Sequence, residues 1–263
     1  GNVTPVNSRS KLIKHIFSNL NKNREKFQNP NFTYTKDKGY LSNSDIKVNE
    51  YIESEINKNF NKDLIISEET TNANKNLDFN KPIWIIDPIC GTTNYVRNVE
   101  LYSHSICVLK NSKIFGGVLN PSNGSLFYTN GKKSFLNEKQ IECSKTTRLD
   151  EAVVSINCNQ SSKDSYKIKK LVNIFCPPIT RRLKILESAN LEMSFVASGM
   201  LDAYINPDDK VWDVLIGSEL VKNAGGRFSY FEKNKNNPIA IKGVVASNHY
   251  LYNQIIKIIN ERL

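Results

Sequence analysis

Apolar positions recur at helical spacing near the start of the chain. Leu12, Ile13, Ile16, Phe17 and Leu20 share one face within residues 8–28. Ser44 is suited to cap a second helix carrying Val48, Ile52 and Ile56 at four-residue intervals. Leu64-Ile65-Ile66 then reads as a short strand ending at Ser67-Glu68-Glu69, and a polar, Asn-rich loop runs from Thr70 to Asn80. Residues 83–86, Ile-Trp-Ile-Ile, are apolar on both faces, as a buried strand requires, and run into Asp87-Pro88. The middle is β-rich: strands over 103–109 and 114–119, a turn at Pro121-Ser122-Asn123-Gly124, and a hairpin return over 125–129. Beyond a strand at 152–156 the pattern alternates. Helices are predicted over 163–175, 188–198, 213–223 and 249–262, with Gly225-Gly226 stopping the third. Strands are predicted near 179–186, 203–205, 228–230 and 239–246. The fold class is α+β, in two halves, 1–150 and 151–263, with no internal repeat.

Composition narrows this picture. In 263 residues, 39% are apolar and 24% charged, which suits a folded chain with a sizeable core. The longest apolar runs are far shorter than the roughly 20 residues of a membrane helix, and Gly1–Pro5 carries no signal-peptide pattern. Five cysteines, an odd number with no C-x-x-C spacing, argue against a disulfide framework or structural zinc and fit a reducing cytoplasm. The net charge of +10 would attract phosphates. The lysines are dispersed, however, without an RNA-binding aromatic signature or cysteine–histidine finger, so neither nucleic acid nor membrane is an expected partner.

Three acidic clusters sit at element ends: Glu68-Glu69, Asp87 and Asp213. Carboxylates brought together from such positions offer the hard oxygen ligands that Mg²⁺ takes. Taken singly, each reads as a solvated charge or a cap, and Asp213 alone would make a good helix N-cap. Gly91-Thr92-Thr93-Asn94 can open a helix whose free N–H groups cradle a phosphate, although alone it reads as an ordinary turn.

In combination these residues are far more specific. Residues 84–95, Trp-Ile-Ile-Asp-Pro-Ile-Cys-Gly-Thr-Thr-Asn-Tyr, resemble the W-I-I-D-P-I-D-G-T-T-N-F signature of the inositol monophosphatase family. Ser67-Glu68-Glu69 is similar to its G-E-E motif, Trp212-Asp213 with Ala224-Gly225-Gly226 to its W-D…A-G-G signature, and residues 196–204 to its V-A-x-G-x-x-D-A-Y. The resemblance runs from about residue 8 to the C-terminus. It implies a layered αβαβα sandwich, a homodimer, a small phosphorylated substrate, and phosphate monoester hydrolysis dependent on Mg²⁺, with Mn²⁺ as the substitute. By position it implies that Glu68, Asp87 and the Ile89 carbonyl hold one ion. Asp87, residue 90 and Asp213 hold a second, and Glu68 helps hold a third through waters. Thr92, supported by Asp45, orients the attacking water, with Glu68 in the catalytic set. Gly91 and Thr92 bind phosphate, and Ser188, Ala189, Asn206 and Lys184 meet the substrate.

The chain departs from the family at Cys90, where the family has aspartate. A thiol is a soft ligand, normally uncharged at neutral pH. Three readings stay open: a phosphatase with altered metal use, a pseudo-phosphatase that binds a phosphorylated ligand or a protein partner, and a new role for a thiolate as nucleophile or soft-metal ligand. Glu187-Ser188-Ala189 replaces the family's G-[ST]-A turn, and Asn206 stands where a glutamate often contacts inositol. Arg181, Arg182 and Lys184 read either as a second phosphate site or as solvated strand-end charges.

Overall fold

The computed structural model describes residues 5–29, 31–36, 39–68, 77–157 and 165–263. Helix α1 (Pro5–Lys22) and the one-turn α2 (Arg24–Phe27) replace the single predicted helix. The break falls at Asn23, whose main-chain N–H and side-chain Nδ2 both donate to the Asn19 carbonyl, at 2.9 and 3.1 Å. A hairpin of β1 (Phe32–Thr35) and β2 (Gly39–Ser42) follows, then α3 (Asn43–Asn59). Strand β1 alternates aromatic and hydroxyl residues, Phe-Thr-Tyr-Thr, a four-residue strand signal missing from the predicted elements, and all four residues are exposed.

The N-cap of α3 is Ser42 rather than Ser44. Ser42 Oγ accepts from the Asp45 N–H at 3.1 Å and the Asp45 carboxylate accepts from the Ser42 N–H at 2.8 Å, a reciprocal capping box. Ser44 lies inside the first turn, where its hydroxyl ties the Phe27 carbonyl to Tyr95 Oη.

Strands β3 (Leu64–Ser67), β4 (Ile83–Cys90), β5 (Ser103–Lys110), β6 (Lys113–Asn120), β7 (Ser125–Thr129), β8 (Ser134–Leu136) and β9 (Lys139–Gln140) form one sheet in chain order, with the short α4 (Thr92–Val96) after β4. Only β3 and β4 run parallel. A five-stranded sheet is built from β10 (Val153–Ile156), β11 (Arg182–Lys184), β12 (Ala203–Asn206), β13 (Arg227–Ser229) and, closing the run, a strand at Val244–Ser247. The intervening helices are α5 (Ser165–Phe175), α6 (Ala189–Ala197) and α7 (Val211–Asn223). The strand predicted over 239–246 is two: β15 (Asn237–Lys242), hairpinned to β14 (Glu232–Asn234), and β16 (Val244–Ser247). Gly243 divides them at φ +66°, where a Cβ would stand 2.5 Å from Pro207. The strand predicted near 179–186 keeps only Arg182–Lys184, at the sheet edge. Helix α8 (His249–Arg262), capped by Asn248, closes the chain as predicted.

Period-two alternation sorts β4 into two cores. Ile83 and Ile85 join an apolar cluster with α6 and α7, while Trp84 and Ile86 join one with α1 and α3. The five-stranded sheet packs Tyr204 and Ala246 toward α6 and α7, and Val154, Ile205 and Val245 toward α5 and α8. The layers are therefore helix, sheet, helix, sheet, helix, the αβαβα order the resemblance implies. No described helix is long and apolar enough to cross a membrane.

Candidate active site

The C-terminal end of β4 carries the chemistry. Its register against β5 shifts between Asp87, opposite Ser105, and Cys90, opposite Ser103. Pro88, without an N–H, is tolerated in such a bulge, and the bulge re-aims the side chains around it. His104 on β5 supports the bulge by hydrogen bonding to the Pro88 carbonyl. Burial lowers its pKa to about 4, so it is neutral and donates. Gly91 follows at φ +95°, with the Leu101 carbonyl 2.9 Å from where a Cβ would stand. The chain then turns into α4.

Asp87, Cys90 and Asp213 offer ligand atoms that all lie within 4.8 Å of one another. Asp213 is the third residue of α7, not its cap. Lys210 is the N-cap, and its N–H donates to Asp213 Oδ2 at 2.9 Å. Asp87 is 1% exposed, and its Oδ1 is buried without a hydrogen-bond partner among the described residues. Glu68 stands outside this compact trio, on the wall of the same cleft of about 580 Å³. Glu69 lies outside the described residues. Thr92 donates to Asp45 Oδ1 at 2.9 Å, and Ile89, Gly91, Ala189 and Asn206 line the cleft with it. Ser188 is buried behind the lining, where its hydroxyl donates to the Cys90 carbonyl at 3.0 Å. Lys184 is exposed on edge strand β11 and does not line the cleft; Arg181 and Arg182 are likewise exposed.

Negative charge is crowded here. Burial pushes the Asp87 pKa well up, and the charges of Glu68, Asp213 and Asp45 add to it. Burial raises Asp45 as well. The Cys90 thiol is pushed well up by burial and then by Asp87 and Asp213, only partly offset by the Asn190 N–H. The thiol is therefore uncharged in the metal-free protein, which removes the thiolate that a nucleophilic role needs.

Asp213 is raised to about 6, chiefly by burial. A carboxyl with a folded pKa above its unfolded value binds more protons folded than unfolded between the two. Stability therefore falls as pH rises from about 4 through about 6. The thermal midpoint of metal-free protein is expected to be higher at about pH 5.5 than at about pH 7.5, and Asp213→Asn should shrink that difference, the remainder coming from the likewise raised Asp87 and Asp45. An equal slope in the variant would refute the assignment.

Three cleft residues carry little signal in the sequence. Asp209, on the loop before α7, and Asn157, after β10, both line the cleft. Glu187 lines it too, held at φ +57°. Its left-handed backbone accounts for the glycine that the resembling motif has at this position. Tyr34, Lys36 and Tyr40 reach the cleft from the β1–β2 hairpin.

The sequence profile of the inositol monophosphatase family matches residues 6–263. A fructose-1,6-bisphosphatase/inositol-1-monophosphatase of Thermotoga maritima is 28% identical over 228 residues, 85% of this chain and 84% of that protein. Inositol monophosphatase 3 of Solanum lycopersicum is 29% identical over 227 residues, 84% of each. The solved structure of a Thermotoga maritima IMPase superposes with a TM-score of 0.76 at 27% identity, covering 96% of this chain and 95% of that one.

Proposed function

This chain belongs to the inositol monophosphatase family, a family of phosphoric monoester hydrolases, and on that footing we propose that it hydrolyses the phosphate ester of a small polyol or sugar with Mg²⁺, or Mn²⁺ in its place. The observation that carries this reading is the unpartnered, buried Asp87 Oδ1 beside Asp213. A buried carboxyl oxygen with no partner among the described residues, crowded by other carboxyl groups, suits a cation, and oxygen donors suit Mg²⁺. Glu68, Asp87 and the Ile89 carbonyl would hold one ion. Asp87 and Asp213 would hold a second with one hard ligand fewer, because Cys90 is a neutral thiol, and Glu68 would help hold a third through waters. Bound divalent ions supply polarisation of the phosphoryl oxygens, a lowered water pKa and stabilisation of the leaving alkoxide.

The chain's own residues position the reactants. Thr92 donates its hydroxyl proton to Asp45, which would leave its oxygen lone pairs for the attacking water. The capping box fixes Asp45 in turn. The Gly91 and Thr92 N–H groups, at the head of α4, would meet phosphate oxygens. Ser188 and Ala189 steady the wall behind Cys90, and Asn206 faces the alcohol part of the ester. Lys184, from its edge strand, has no direct part in this reading. A cytoplasmic homodimer goes with it by family likeness alone. The test is phosphate release from a panel of phosphomonoesters with Mg²⁺ or Mn²⁺; a panel without turnover overturns it.

The neutral Cys90 thiol favours one second reading, a catalytically impaired relative that binds a phosphorylated ligand or a protein partner. Cys90→Asp separates the two. Loss of even an outer partner of a metal site costs about 10–100-fold, so a restored carboxylate should raise turnover at limiting Mg²⁺ at least about 10-fold. Cys90→Ser should change little. A flat or lowered response in a folded Asp variant would sink the lost-ligand account.

A further inference from the structure

Asp209 sits four residues before Asp213, and neither the metal trio nor the Thr92–Asp45 pair uses it. Its position is tightly built. Tyr204 Oη donates to Asp209 Oδ2 at 2.6 Å, Asn206 Nδ2 donates to Oδ1 at 2.8 Å, and the Gly243 N–H donates to its main-chain carbonyl at 2.8 Å. Behind it, Asn157 Nδ2 donates to both Tyr204 Oη and Glu192 Oε2 at 2.8 Å, and Glu192 is fully buried in α6. The side chain is thus fixed from the cleft wall back to the interlayer core. A carboxylate has about four acceptor positions; the neighbours fill two, on a residue that lines the cleft. No ion pair among the described residues reaches it, and it lies outside the compact Asp87–Cys90–Asp213 group. A rigid carboxyl group with vacant acceptor positions, its pKa raised by burial and by the Asp213 charge and flanked by the carboxamide of Asn206, matches the hydroxyl groups of a polyhydroxylated alcohol.

We propose that Asp209 is the residue that selects the alcohol part of the substrate: its open acceptor positions take hydrogen bonds from hydroxyl groups, so that phosphates of polyols are preferred to simple alkyl phosphates. The inference rests on the phosphatase reading of the same cleft. A site that bonds hydroxyls discriminates strongly against analogues lacking them, because its polar group is then left unpaired. Tyr204 and Asn157 act as positioning residues.

The test compares glucitol 6-phosphate with ethyl phosphate, in Mg²⁺, for the wild type, Asp209→Ala and Tyr204→Phe. A lost hydrogen bond that leaves its buried partner unpaired costs about 10–100-fold. The wild type should prefer the polyol ester by about that factor in kcat/KM, mainly through KM, and Asp209→Ala should lose most of the preference. Tyr204→Phe should lose part of it. Asp209→Asn, of equal size, takes the place of an alanine variant that fails to fold. Equal losses on both esters, or a raised Mg²⁺ requirement with the preference intact, would overturn the inference. So would turnover without polyol preference in the wild type, which leaves the phosphatase reading standing. If neither ester is turned over, calorimetric Kd values for the same two compounds decide. A polyol preference that Asp209→Ala erases upholds the inference while the phosphatase reading fails; no preference refutes it.

Discussion

Asp87→Asn is expected to lower phosphate release at least about 100-fold, since outer partners of metal sites alone account for about 10–100-fold. The metal-free variant should unfold at the same temperature as the wild type or higher. Both expectations have one cause. Asp87 is buried at the end of β4 with Oδ1 unpartnered among the described residues, beside Asp213 and within the influence of Glu68 and Asp45. In the absence of a cation, this crowding disfavours the folded state, and an amide of the same shape relieves it. With a cation the sign reverses, because the carboxylate is then the shared ligand. Thermal unfolding with and without Mg²⁺ should therefore show a metal-dependent rise in the wild type that the variant lacks. A variant that keeps both turnover and the Mg²⁺-dependent rise would remove Asp87 from the centre of the site.

Trp84→Ala should destabilise the fold by about 3–5 kcal/mol, as removal of a buried aromatic does. For a chain of this size that corresponds to a fall in Tm of about 10 °C. Trp84 is wholly buried between the seven-stranded sheet and the α1–α3 layer. Its Nε1 donates to Asp63 Oδ2 at 2.8 Å, and Asp63 is also held by Arg9 at 2.8 and 2.9 Å. The guanidinium of Arg9 lies 4.3 Å from the centre of the Phe60 ring. Truncation opens a cavity and removes one donor from that carboxylate. Trp84→Phe keeps most of the volume and should cost about 1–3 kcal/mol, mainly for the lost hydrogen bond. A fall in Tm below about 3 °C for the alanine variant would show that the two layers repack without the indole.

Local periodicity determined element type because it reports which faces must leave water. The run Ile-Trp-Ile-Ile at 83–86 demanded a strand buried on both sides, and α8 was legible from His249 to Arg262. The ordered motifs around Asp87, Thr92 and Asp213 were legible because their chemistry is carried by residue type at fixed spacing. The β1–β2 hairpin was not, although β1 alternates Phe-Thr-Tyr-Thr, because its four exposed residues bury no face that would tie so short a run to a core. Nor was the choice of Ser42 over Ser44 as cap, which depends on how Phe27 and Tyr95 occupy the Ser44 hydroxyl. Gly243 splits one apolar run into two strands at a left-handed backbone position where Pro207, from a distant segment, leaves no room for a side chain. The gathering of Asp209, Asn157 and Glu187 into the cleft also waited on the fold, as did the neutral state of Cys90. These come from segments far apart in sequence, and desolvation and mutual repulsion act on them only after packing has removed water and set their distances.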